Sequence, residues 1–164
     1  MIFKIIFIIL TAIFIGLFIT FFEDIKKSNR KKVSFKEAIN LTELPVVTFI
    51  SKGRKLNFLL DTGANNSILN ESVAKKMKLK CEEFDGVETN TAGGNINLNR
   101  VTNLVIKFDD KREYDECFLI SNMDDAFDSI KAETGVMIHG ILGSNFFAKY
   151  KYIIDYDSLA LYVK

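Results

Sequence analysis

The sequence predicts a small, mainly β domain with a few short helices, carried behind one apolar N-terminal helix. Three observations lead there. Ile5 to Phe22 reads IIFIILTAIFIGLFITFF without a single charge. Beyond Pro45, the chain's only proline, β-branched and aromatic runs alternate with short turn sequences, as strands prefer. Runs of helical period are few and short. At 164 residues, the chain has room for one domain besides the apolar segment.

The apolar run comes first. It meets the roughly 18 consecutive apolar residues that a bilayer-spanning helix needs, and Lys4 can snorkel to the interface at its start. It is apolar on every face, which an amphipathic core helix is not. Residues 1–22 therefore read as a single-pass transmembrane anchor. A cleaved signal peptide is the competing reading. It wants a shorter apolar core and a small-x-small cleavage site, and Phe21-Phe22-Glu23-Asp24 offers no such site. Lys26, Lys27, Arg30, Lys31 and Lys32 follow the run, against Lys4 alone before it. The positive-inside rule thus leans toward a cytoplasmic domain, but the rule is statistical and the side of the membrane stays open. Residues 23–44, polar and charged, read as a tether, and residues 45–164 as the domain.

Inside the domain, Val46–Ile50 and Lys55–Leu60 read as two strands around a turn at Lys52-Gly53-Arg54. Val101–Phe108 and Tyr114–Ile120 flank a turn at Asp109–Arg112. Tyr152–Asp155 and Leu159–Val163 flank Tyr156-Asp157-Ser158. Three helices are expected. Asn70 can cap one through Leu79, with Val73 and Met77 on one face. Met123–Glu133 places Phe127 and Ile130 together and stops at Gly135. Ser144 can cap a turn through Lys149. No internal repeat appears.

Charge excludes one class of partner. The chain has 22 basic and 21 acidic residues, and residues 1–22 hold one of the former and none of the latter. The remainder is balanced, with no electrostatic footprint for nucleic acid. Cys81 and Cys117 show neither metal spacing nor a CxxC motif and read as ordinary part-buried thiols. A single bridge between them stays open for an exported domain. The paired acids Asp109-Asp110 and Asp124-Asp125 fall in a turn and at a helix start, where Asp is ordinary. A calcium loop starting at Asp61 fails, because its twelfth position is Ser72 rather than Glu. His139, the only histidine, has no Ser or Cys nucleophile motif around it and reads as structural. Neither metal nor cofactor is expected.

The informative stretch is Leu59-Leu60-Asp61-Thr62-Gly63-Ala64-Asn65-Asn66-Ser67-Ile68-Leu69. An apolar strand runs straight into a carboxylate, and Gly63 permits a tight turn after it. Thr62 sets a hydroxyl beside the acid, and Ser67 carries another that could reach back to it. An acid used for chemistry needs such a rigid base and such hydrogen-bond donors. About 80 residues on, Gly140-Ile141-Leu142-Gly143 places an apolar pair between glycines ahead of a helical turn.

These segments resemble the retroviral-type aspartic proteases, the retropepsins, over residues 45–164. LLDTGANNSIL resembles the family's active-site segment. HGILGSNFF, His139–Phe147, resembles its apolar-apolar-Gly motif and following helix, which packs under the catalytic loop. YIIDYDSLALYV resembles the closing hairpin of cellular and bacterial relatives. Thr91-Ala92-Gly93-Gly94-Asn95 falls where the family has its glycine-rich flap. Two departures stand out: Asn65 replaces an Asp common after the motif's Ala, and the stretch Ser121–Met137 is long for the compact viral form.

The resemblance implies a closed β-barrel, one half of an acid protease, acting as an aspartic endopeptidase on polypeptide substrates. Its chemistry needs two carboxylates sharing a proton. No second D-[ST]-G occurs: Asp128-Ser129 runs into Ile130, and Asp157-Ser158 into Leu159. Asp61 must then meet Asp61 of a second copy in a homodimer with a two-fold axis through the site. The resemblance makes Asp61, Thr62 and Gly63 the catalytic set, with Thr62 locking the two loops together. It makes Ala64, Ala92, Gly93 and Gly94 the substrate-binding pocket and flap. The alternative is a membrane-tethered module of the same fold that holds a peptide without cutting it.

Overall fold

The computed structural model describes residues 2–28, 32–91, 94–108 and 112–163. Of residues 2, 5, 6, 8, 23–28, 87–91, 94–98 and 163 it describes the backbone alone. The chain divides into two compact units, residues 1–31 and 32–164.

The first unit is one helix, α1 (Ile2–Ser28). Its described side chains are exposed, Phe14, Phe18 and Phe22 among them. Among the described residues no helix is long and apolar enough to cross a membrane. The transmembrane span expected over residues 1–22 is therefore not supported by the structure.

The second unit holds β1 (Lys32–Ser34), α2 (Lys36–Thr42), β2 (Val46–Ser51), β3 (Arg54–Leu60) and β4 (Ile68–Asn70). Then come α3 (Glu71–Lys76), β5 (Glu82–Thr91), β6 (Gly94–Lys107), β7 (Glu113–Ser121) and α4 (Asp124–Thr134). β8 (Gly140–Leu142), α5 (Ser144–Tyr150), β9 (Tyr152–Asp155) and β10 (Ala160–Val163) complete it. The unit is mainly β, as the sequence predicts.

A seven-stranded sheet runs in the order β2-β3-β8-β4-β7-β6-β5. Ile50 of β2 also pairs with Lys107 of β6, so the sheet closes on itself, and β5 stands outside the closure. Closure removes the free edges that an open sheet exposes. β8 lies parallel to β3 and antiparallel to β4, and β4 lies parallel to β7. The chain therefore leaves β3, loops over the end of β8 and returns as β4. That loop begins at Asp61.

Alternation fills the interior. In β3, Leu56, Phe58 and Leu60 are buried on one face. They meet an aromatic cluster in which Phe49 stacks on Phe108 at 4.0 Å and Phe58 on Phe118 at 5.4 Å. Phe146 of α5 joins the same cluster, edge-on to Phe49 at 6.0 Å and stacked on Tyr152 at 5.4 Å. The opposite face of the β3 region meets a smaller cluster of Val46, Phe127, Ile138 and Ile141. The long stretch Ser121–Met137 thus forms α4 and buries Phe127 there, with Gly135 ending the helix at φ 75° as the sequence predicts.

Two expectations change. Residues 32–44 are not a tether. β1 pairs with β10, setting Val33 against Leu161. Phe35 is 1% exposed, and its N–H donates to Leu159 O at 2.9 Å. One deeply buried aromatic draws an otherwise polar segment into the unit, which begins at Lys32 rather than at Pro45. Asn70 does not cap α3 through its side chain. Its Nδ2 donates to Asp124 Oδ1 at 2.8 Å and its Oδ1 accepts from Met123 N at 3.2 Å, fastening α4 to the end of β4. Of the expected turn at Asp109–Arg112, residues 109–111 lie outside the described residues, and the N–H of Phe108 donates to Arg112 O at 3.2 Å across it.

Phe35→Ala should lower the unfolding free energy by about 3–5 kcal/mol, the cost of emptying a buried phenylalanine site, measured by urea denaturation. A change within about 0.5 kcal/mol, typical of an exposed position, would return residues 32–44 to a tether.

Candidate active site

β3 delivers Asp61 directly. Its last residue, Leu60, is buried and paired with Leu142 of β8. Asp61 extends that pairing by one bond, its N–H donating to Leu142 O at 3.0 Å. The chain then turns: Ala64 N–H donates to Asp61 O at 3.3 Å. Gly63 N–H donates to the Asp61 carboxylate at Oδ1, 2.8 Å away, which holds the side-chain rotamer. Thr62 and Gly63 are exposed beside it. Gly63 permits the tight turn as expected, without a positive φ. What constrains the position is the carboxylate itself, since a Cβ there would stand 3.2 Å from Asp61 Oδ1.

The next part of the loop rests on the segment after β8. Ser144 donates to Ala64 O twice, from N at 2.8 Å and from Oγ at 3.1 Å. Asn145 N donates to Asn65 O at 3.2 Å. Gly143 lies under the loop so closely that a Cβ would meet Asn66 C and O at 2.6 Å and Ala64 O at 2.9 Å. Ser144 was expected to cap α5. The N-cap is Gly143 instead, with no side-chain bond, and the Ser144 hydroxyl serves the loop. The packing of HGILGSNFF under the loop is the arrangement that the resemblance implied.

Ser67 was expected near the carboxylate and is not there. It is fully buried beneath the loop. Its hydroxyl lies 2.9 Å from Glu116 Oε1 and 3.3 Å from Asn145 Oδ1, and it accepts from Gly143 N at 3.3 Å. Glu116 escapes the sequence reading altogether. The signal was available: in β7 the period of two puts Tyr114, Glu116 and Phe118 on one buried face. A glutamate in that row must find polar partners or lose its charge. Burial pushes its carboxyl above the usual glutamate range, while Ser67 and Lys149 pull it back and neighbouring Asp115 pushes it up. Lys149 Nζ stands 3.6 Å from Oε2.

The expected flap falls partly outside the described residues, which do not include Ala92 and Gly93. On either side of them, β5 and β6 pair antiparallel, and the last described pair is Thr91 with Gly94. The base of that pairing is tied to α3. Glu71 forms ion pairs with Arg100 of β6 and with Lys75, and both hold the Glu71 carboxyl below its usual range. The structure therefore brings Asp61, Thr62, Gly63 and Ala64 onto one loop, whereas Gly94 starts a separate strand.

Other sequence candidates lie elsewhere. His139 is structural, its Nδ1 accepting from Asn57 N at 3.0 Å, and burial lowers its basicity. It lines a cavity of about 590 Å³ with Arg54, Lys76, Asp124 and Phe127, and that cavity excludes Asp61. Cys81 and Cys117 are free thiols. Among the described residues no three His, Cys, Asp or Glu side chains gather as a metal set.

Gly143→Ala should destabilise the domain by at least about 1–3 kcal/mol, the usual cost of overpacking a close contact, because the new methyl meets backbone that cannot rotate away. Thermal unfolding measures it, and an unchanged midpoint would contradict the close seating of the loop.

Comparison with known proteins follows the same segments. Residues 47–146 match the family model described as aspartyl protease. No curated protein matches the chain. Among solved structures, that of EIAV protease complexed with the inhibitor HBY-793 is 24% identical. The match covers 67% of this chain and 90% of that one, at a TM-score of 0.49. The likeness to the retropepsin-like aspartic proteases seen in LLDTGANNSIL stands, and the chain belongs to the aspartyl protease family.

Proposed function

We propose that the domain is an aspartic endopeptidase that works as a homodimer, its catalytic water held between the Asp61 carboxylates of two copies. One observation carries the reading: a chain of this family contains a single Asp-Thr-Gly, and it seats that Asp61 on a loop fixed by main-chain bonds. Hydrolysis by this chemistry needs a pair. Two like charges in close contact cannot both ionise, so the pair keeps one proton.

The steps assign each carboxyl a role. The ionised one takes a proton from water as the oxygen attacks the peptide carbonyl carbon. The protonated one donates to the carbonyl oxygen, giving a neutral gem-diol. The proton taken from water then passes to the peptide nitrogen as the C–N bond breaks, and the gem-diol oxygen returns its proton to the pair. The fixed rotamer of Asp61 keeps these transfers within hydrogen-bond reach. Thr62, exposed and with no hydrogen bond within the chain among the described residues, bonds across the dimer axis in this proposal. Gly63 leaves the carboxylate uncrowded for substrate. Ala64 lines the adjoining pocket, and Ala92, Gly93 and Gly94 serve as the family's flap, closing over the peptide to exclude water.

Asp61→Asn should reduce kcat/KM on peptides with apolar residues at the scissile bond by at least about 100- to 10,000-fold, the usual worth of a general acid–base group. A statine-type mimic of the gem-diol should block the parent and bring two copies together in sedimentation. Cleavage by the Asn variant at the parent's rate would end the proposal. A monomer that still holds the mimic would leave a peptide-binding module instead.

We further propose that residues 1–22 anchor the domain in a bilayer, with the basic flank on the cytoplasmic side. The support is the uncharged sequence Ile5–Phe22 together with the helical backbone of α1. The full-length protein should stay with membranes through an alkaline carbonate wash, and release by that wash would refute the anchor.

A further inference from the structure

The proposed chemistry leaves one buried ionisable group unused. Glu116 is 2% exposed and Ser67 is fully buried, yet they meet at 2.9 Å directly beneath the loop that carries Asp61. The Ser67 hydroxyl also touches two of the residues on which that loop rests. It accepts from Gly143 N at 3.3 Å, and it lies 3.3 Å from Asn145 Oδ1.

A serine hydroxyl has one proton and two lone pairs. Gly143 N–H occupies one lone pair. The proton can go to Glu116 or to Asn145, but not to both. With Glu116 ionised, Ser67 donates to Glu116 and leaves Asn145 Oδ1 to the N–H of Phe146, 2.7 Å away. With Glu116 protonated, the direction reverses. Oε2 faces Lys149 Nζ at 3.6 Å, and an ammonium cannot accept a proton, so the acid proton belongs on Oε1. There it donates to Ser67 Oγ, and the Ser67 proton turns to Asn145 Oδ1. The protonated arrangement therefore adds a bond between the Asp61 loop and α5 that the ionised one lacks.

We propose that Glu116 is a positioning residue whose protonation sets the direction of the Glu116–Ser67–Asn145 chain and so the firmness with which α5 holds the Asp61 loop. The firm state is the neutral one. The groups that act on Glu116 are Lys149 of α5, which favours the charge, and Asp115 of its own strand, which opposes it. The Cys117 thiol is next along β7. The residues set against Glu116 from the loop and from β6 are Ser67 and Leu104, both uncharged. Burial is the largest influence and favours the neutral form.

A carboxyl whose folded-state pKa is raised contributes stability that is fully present below its unfolded value and is lost as pH rises through the folded value. Glu116→Gln imitates the protonated acid, with Nε2 donating to Ser67 and Oε1 accepting from Lys149, and it cannot titrate.

Two readouts test the proposal. The thermal midpoint of the parent should fall relative to Glu116→Gln as pH rises above the ordinary glutamate range, and the Gly143 amide resonance should shift with the same midpoint in the parent and not in the variant. Neither needs activity, so both stand or fall apart from the proteolytic reading. The kinetic arm rests on that reading: the parent's kcat should drop on its alkaline side at the same midpoint, with KM little changed. Glu116→Gln should keep the parent's acid-side kcat within about threefold and lack that drop. Parallel melting curves for parent and variant across the range, or a Gly143 amide that does not titrate, would overturn the proposal. A titrating amide with no peptide cleavage at any pH would sustain the Glu116 chain and refute hydrolysis instead.

Discussion

The loop that carries Asp61 depends on a match between unpaired main-chain groups. A helix begins with N–H groups that have no partner inside it, and a loop between strands carries carbonyls that no sheet neighbour satisfies. Here each supplies the other. The first N–H groups of α5, those of Ser144 and Asn145, meet the carbonyls of Ala64 and Asn65. These bonds are main chain to main chain, so the path of the backbone seats the loop first, and the Ser144 and Ser67 hydroxyls add side-chain bonds to it. Gly143 makes the approach possible, since any Cβ there would occupy the space of Asn66.

The seat is only as rigid as α5, and α5 is held from below. Phe146 is fully buried, with Phe49, Tyr114 and Tyr152 around it. Those rings come from β2, β7 and β9, strands far apart in sequence. The closed sheet brings them together, and close packing in turn holds the helix axis. Position is thus passed from the aromatic core to α5, from α5 to the loop carbonyls, and from the loop to the Asp61 carboxylate. Nothing in this path fixes a second carboxylate beside the first.

Between core and loop the chain buries polar groups where an apolar filling would be simpler. Ser67 and Glu116 occupy that layer, with Lys149 reaching in from α5. A buried carboxyl with few partners is costly, and the cost is met by neutralisation or by hydrogen bonds. A hydroxyl bridge of this kind makes bonds of specific direction, which dispersion contacts cannot do. It ties the underside of the loop through bonds of set direction rather than through any contacts that fill the volume.

Much of this was legible in the residues. The β2–β3 hairpin, the helical patterns of α4 and α5, and the placement of Asp61 at a strand end all follow from local chemistry: alternation, turn residues, and an acid after an apolar run. The single Asp-Thr-Gly, on which the proposed pairing of two copies rests, is legible in the same way. What depended on distant partners was not legible. Residues 32–44 look polar, and only the pairing of β1 with β10 and the burial of Phe35 draw them into the domain. Asn70 and Ser144 look like helix caps, yet Asp124 and Ala64, many residues away, take their side chains. Ser67 points away from the carboxylate that it follows. By itself the sequence determined the strand-turn-acid segment and the family, because those rest on neighbours within a few residues. The tertiary structure alone decided what lies beneath the loop, because a buried polar contact is set by which strands the closed sheet brings together.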